Sequence, residues 1–179
     1  MKKNRLLKNM IFASLFIAIA FVLPFLTGQI PEIGSMLCPM HIPVLICGFI
    51  CGWKWGLLVG LIFPLLRSLI LGMPPLFPTA FCMAIELGVY GLLTGLLYNI
   101  FPKKKIYVYC SLVISMIIGR IVWGVAMLIV MSVVGDMFTF NMFIVSTVVN
   151  ALPGIILQII LVPILVMLLE NKELVKEKV

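Results

Sequence analysis

Three ionisable side chains lie inside long apolar runs, where charge is expensive: Arg67, Glu86 and Arg120. A guanidinium in such a place binds a carboxylate or phosphate in a two-pronged geometry. A carboxylate there neutralises a cation or orients a donor. Arg67 and Glu86 fall near the facing ends of two consecutive apolar runs joined by a short, stiff segment. The spacing predicts that they can pair, each neutralising a charge the other could not keep alone. Arg120 is then left with three options: helix carbonyls and water, a share of Glu86, or the carboxylate or phosphate of a ligand. Trp123 follows Arg120 by one helical turn. Asn150 and Gln158 add neutral donors and acceptors, for a ligand or for bonds between helices. His41 opens another apolar run. It is read as a capping or interfacial residue, with ligand contact the alternative.

These residues can bind, but they do not assemble a reaction. There is a single His, and no HExxH, glycine-rich phosphate loop or GxSxG occurs. Glu86 is the one carboxylate at membrane depth, so no general acid–base pair is available. Cys47 and Cys51 are one turn apart, yet nothing completes a metal site around them. Five cysteines, an odd number, do not make a disulfide framework. The expectation is a protein with no catalytic residue, no metal and no cofactor: not an enzyme.

The elements that must hold these residues are membrane helices. The chain is 64% hydrophobic and 11% charged, against roughly a quarter charged in soluble domains. A hydrocarbon layer of about 30 Å needs a helix of about 20 residues, so 179 residues accommodate six spans with short loops. Apolar length and turn signals place them at 9–27, 38–53, 55–71, 79–100, 106–134 and 146–169. The basic start and the run from Met10 to Leu26 look like a signal peptide, but no small-x-small site follows, and the run is read as the first span. The reading is an all-α integral membrane protein of one domain, residues 1–179. Lys54 between Trp53 and Trp55 marks a tight turn between the second and third spans. Gly72-Met73-Pro74-Pro75-Leu76-Phe77-Pro78 is too rich in proline to be helical. The loop 28–40 mixes Gln29, Glu32 and Ser35 with Ile30, Ile33, Met36 and Leu37, a composition suited to a lid folded over a cavity.

Charge orients the spans. Of 13 Lys and Arg residues, all but Arg67 and Arg120 fall on one side of this arrangement: Lys2, Lys3, Arg5, Lys8, Lys54, Lys103, Lys104, Lys105, Lys172, Lys176 and Lys178. The opposite loops, near 28–40, 72–78 and 135–145, hold Glu32 and Asp136 and no base. The positive-inside rule puts both termini in the cytoplasm. It also accounts for the net charge of +7 without invoking nucleic acid. Small residues recur at Gly48, Gly52, Gly56 and Gly60, and at Gly91 and Gly95, the spacing of closely packed membrane helices. Ser14, Ala18 and Ala20 give the first span a small face, suited either to internal packing or to docking a partner subunit. Pro153 and Pro163 in the last span either kink it near Asn150 and Gln158 or, for Pro153, sit in a first turn where proline is tolerated.

Taken together the chain resembles a substrate-binding S component of the energy-coupling factor (ECF) vitamin transporters. The resemblance covers nearly the whole length. It is carried by Ser14, Ala18 and Ala20, Pro39-Met40-His41-Ile42-Pro43, the 72–78 segment, Gly119-Arg120-Ile121-Val122-Trp123-Gly124, and Leu152-Pro153-Gly154 with Gln158. Among S components it looks closest to pantothenate-type members. The resemblance implies uptake of a vitamin at a cell membrane, with a site drawn from His41, Arg67, Glu86, Arg120, Trp123, Asn150 and Gln158. It implies partners as well: a membrane coupling subunit docked along Ser14 and Ala18, and two cytosolic ATPases. The S component would topple within the bilayer to deliver its cargo. A neutral vitamin or precursor such as pyridoxine, hydroxymethylpyrimidine or riboflavin is the alternative substrate, and a stand-alone secondary carrier the alternative mechanism.

Overall fold

In lipid a backbone must satisfy its own hydrogen bonds, so apolar runs of this length fold as helices. The computed structural model describes residues 2–27, 36–102, 104–135 and 139–171, and no strand occurs among them. The elements are α1 (Lys2–Val22), continued by a 3-10 turn at Leu23–Thr27, α2 (His41–Cys51), α3 (Trp53–Leu71), α4 (Phe81–Ile100), α5 (Lys105–Val134), the short α6 (Phe140–Ile144) and α7 (Leu152–Asn171). Wide π turns at Leu76–Ala80 and Val145–Val149 lead into α4 and toward α7.

Five segments are long and apolar enough to cross a membrane: Leu6–Phe25, Trp53–Leu71, Leu76–Ile100, Lys105–Val134 and Leu152–Glu170. The remaining predicted span is α2, apolar but only 11 residues long. All of its residues are buried. It is a core peg rather than a lipid-facing helix. The turn that follows it is made by Gly52, at φ 88°, a backbone that only glycine adopts without strain. Lys54, expected in that turn, lies instead in the first turn of α3, with its Nζ 5.3 Å from the Trp53 ring.

α3 and α4 make the closest packing in the molecule, and the reason is compositional. A Cβ on Gly56 would sit 2.4 Å from the Gly91 carbonyl oxygen, and one on Gly60 would sit 2.2 Å from that of Leu87. Without hydrophobic drive in lipid, this backbone-to-backbone approach is what joins the helices. The expected glycine ladder is thus internal packing, shared between α2, α3 and α4. Gly52 contributes its conformation rather than space, since no atom lies within 4 Å of its missing Cβ.

α1 lies against α2 and α3 through Ala13, Phe16 and Ala20, with Phe21 edge-on to Phe63 at 5.1 Å. Ser14 and Ala18 face outward, whereas Ala20 is fully buried. The small outer face expected on this helix is therefore Ser14 and Ala18 alone. At the lysine-rich end, Asn9 Nδ2 donates to the Cys51 carbonyl at 3.3 Å, and the Tyr98 hydroxyl donates to Glu170. The 72–78 segment interrupts the helices as expected: Gly72 closes α3 in the left-handed conformation, Phe77 is extended, and one wide turn, in which the Ala80 N–H donates to the Pro75 carbonyl at 2.9 Å, leads into α4. Pro153 occupies the first turn of α7, and Pro163 lies inside that helix. Residues 28–35 of the expected lid, Asp136, Lys103 and the C-terminal lysines lie outside the described residues.

Candidate functional site

The site is built where α2, α4 and α5 meet. Glycine again sets the geometry: a Cβ on Gly119 would fall 2.1 Å from the Tyr90 ring, so only glycine lets α5 close over Tyr90. That approach brings the next residue, Arg120, to Glu86, with Nη1 3.2 Å from Oε1. Tyr90, one turn beyond Glu86 on the same face of α4, donates its hydroxyl to Oε1 at 3.0 Å. His41, at the start of α2, brings Nε2 to 3.8 Å from Glu86 Oε2, near enough for attraction but too far for a hydrogen bond. Its ring lies 5.6 Å from that of Tyr90. Glu86, His41 and Tyr90 are all at most 1% exposed.

The chain segment leading into α2 closes the cluster. Cys38 has φ 45°, unusual for a non-glycine residue, and its Sγ accepts a weak bond from Arg120 Nη2 at 3.7 Å. Cys38, Pro39 and Met40 are buried. Just before them the carbonyls of Met36 and Leu37 press on α7 at Gly154, where a Cβ would be 2.6 Å from the Met36 oxygen. Gln158 is one turn further along α7 and is buried, with Nε2 unbonded.

Several expectations change here. Glu86 pairs with Arg120, not with Arg67. The helix register explains why. Gly60 meets Leu87 and Gly56 meets Gly91, so Arg67 is level with Ala80 and Phe81. That is five to six residues, about 8 Å, from Glu86 along the axis. Arg67 is nevertheless buried, 7% exposed, and its Nε and Nη1 have no hydrogen-bond partner. Of the options open to Arg120, the structure shows the bond to Glu86, and only its Nε is unbonded. His41, expected at an interface, is wholly enclosed. Trp123 is half-buried on α5, and Asn150 is exposed at the end of its π turn. Tyr90 and Cys38 belong to the site but are missing from the sequence-derived set. For Tyr90 the Glu-x-x-x-Tyr spacing was a usable signal.

Chemically the arrangement is a cross-linked ion pair with spare donors. The unbonded buried nitrogens include Arg120 Nε, Gln158 Nε2 and both ring nitrogens of His41, with Arg67 Nε and Nη1 nearer the Gly72 end of α3. Among the described residues no group of three His, Cys, Asp or Glu side chains is placed to hold a metal. The unbonded donors of this cluster can orient a small polar molecule by hydrogen bonds.

Compared with known proteins, the family model described as "ECF transporter, substrate-specific component" matches residues 8–166, most of the chain. No curated protein and no solved structure matches it.

Proposed function

The chain belongs to the ECF transporter substrate-specific components, and on that premise we propose that it binds a vitamin or related micronutrient at the outer side of the cell membrane and delivers it inward, with pantothenate the first candidate. Components of this family bind a small molecule and work with an ECF module. The observation that carries the reading is the enclosed donor-rich cluster of His41, Glu86, Tyr90 and Arg120, roofed by residues 36–40 and flanked by Gln158. Trp123, Arg67 and, at the rim, Asn150 complete the proposed substrate site. Pantothenate suits such a site because it carries a carboxylate at one end and hydroxyl and amide groups along its length.

The proposed topology has six crossings in one domain, α2 included, and both termini in the cytoplasm. Ser14 and Ala18, exposed on α1, form the surface for a membrane coupling subunit that carries two cytosolic ATPases. A second reading, a neutral substrate such as pyridoxine, hydroxymethylpyrimidine or riboflavin, is favoured by one observation: Glu86 already neutralises Arg120. Mass spectrometry of small molecules released from protein purified without added ligand decides between them. Pantothenate is the expected compound, and release of a neutral vitamin establishes the second reading. Copurification with a coupling subunit and ATPases tests the transporter assignment; vitamin uptake by this chain alone in liposomes would refute it in favour of a secondary carrier.

A further inference from the structure

We infer that Arg67, rather than Arg120, is the residue that accepts the negative charge of the substrate, so that the substrate class is a carboxylate or phosphate. The inference deepens the proposed function and rests on it.

Charge balance is the starting point. Among the described residues, the ionic side chains buried at membrane depth are Arg67, Glu86 and Arg120. Arg120 and Glu86 cancel each other at 3.2 Å. Among the described residues Arg67 is left as one uncompensated positive charge. A buried cation without a counter-ion is strongly unfavourable, and its N–H groups left unbonded add to that. Nε and Nη1 of Arg67 are both unbonded and inaccessible.

Position supports the same assignment. Arg67 follows Gly56 and Gly60 on the face of α3 that packs on α4. It lies about 8 Å outward of Glu86, close to the outer end of α3, beside the π turn Leu76–Ala80, which also touches α5. A substrate entering from outside meets Arg67 first and the Glu86–Arg120 cluster next. An elongated molecule with its anionic end at Arg67 places its uncharged groups at the unbonded nitrogens deeper in the site. A residue that destabilises the empty protein and has no partner of its own is explained by a ligand that supplies one.

The test uses purified full-length protein in detergent and matched acid–neutral pairs: pantothenate and the alcohol in which CH2OH replaces the carboxylate, nicotinate and nicotinamide, pyridoxal phosphate and pyridoxal, with riboflavin as an unpaired neutral probe. Binding is read by calorimetry and by melting temperature. One acid is expected to bind, at least about 30-fold more tightly than its neutral counterpart. Whether that acid is a carboxylate or the phosphate separates the two anion types. Arg67→Met is expected to melt higher than wild type without ligand and to bind the acid at least about 30-fold more weakly; Arg67→Lys should recover part of the loss. A merely structural role predicts the opposite shift in the empty protein. The inference is overturned by binding of a neutral probe as tight as that of any acid, by an Arg67→Met protein that binds the acid normally, or by binding of no acid at all. None of these touches the transporter assignment, which stands or falls on copurification with the ECF module.

Discussion

Glu86 is held from three sides, by Arg120, Tyr90 and His41, and this makes its partners unequal when removed. Arg120→Ala leaves a buried carboxylate with one hydroxyl bond, and truncating one member of such a pair costs about 3–5 kcal/mol. Adding Glu86→Ala is expected to restore part of that loss, a coupling that melting curves of the single and double variants measure directly. Arg67→Ala and Glu86→Ala, by contrast, are expected to combine additively. Strong coupling between those two would mean that the ion-pair partners have been exchanged. The sequence makes the helix that carries each of the three charges readable, because each sits inside a long apolar run. Partner choice depends on register between helices, and register here is set by Gly56, Gly60 and Gly119 meeting particular neighbours, which no single run of sequence encodes. The enclosure of His41 was hidden for the same reason: α2 shows no polar face from which its surroundings can be read.

Glycine contact and glycine conformation separate cleanly at the level of the helices. Gly91→Leu drives a side chain into the backbone of α3, where even a Cβ would be 2.2 Å from the Gly56 oxygen. It is expected to abolish folding, seen as loss of a monodisperse peak in size-exclusion chromatography. Gly72→Ala meets no atom and strains only a left-handed backbone, at about 1 kcal/mol, so it is expected to fold with a slightly lowered melting temperature. On α1, Ser14→Leu and Ala18→Leu alter only the outward face. Under the proposed docking they leave ligand binding intact and impair uptake in reconstituted vesicles; normal uptake by both would remove that face as the docking surface. α3, α4 and α5 were legible in the sequence to within two residues, since apolar length is a strong signal, whereas α1 starts seven residues earlier than expected and α7 six residues later. α2 was harder, because burial inside the protein relaxes the length that lipid would impose.

The lysines give the whole molecule its proposed orientation. In a background with the exposed Cys110 replaced by Ser, Lys54→Cys and Lys104→Cys are expected to resist impermeant thiol reagents in intact cells, and Thr139→Cys to react. Labelling of position 104 from outside would invert or break the six-crossing arrangement.

α5 has 30 residues, a length of about 45 Å, while α4, which packs alongside it, and α3, on the other side of α4, have 20 and 19, about 30 Å each. One hydrocarbon slab of about 30 Å cannot match both lengths with every helix upright. The apolar C-terminal end of α5, where Val133 is 81% exposed, makes the excess a matter of lipid contact rather than of water. The bilayer then bears on the protein as an elastic medium, and hydrophobic mismatch on one flank is relieved by leaning. Acyl-chain length becomes a control variable for any step that changes tilt: delivery in vesicles should vary with bilayer thickness, while affinity measured in detergent has no thickness to sense.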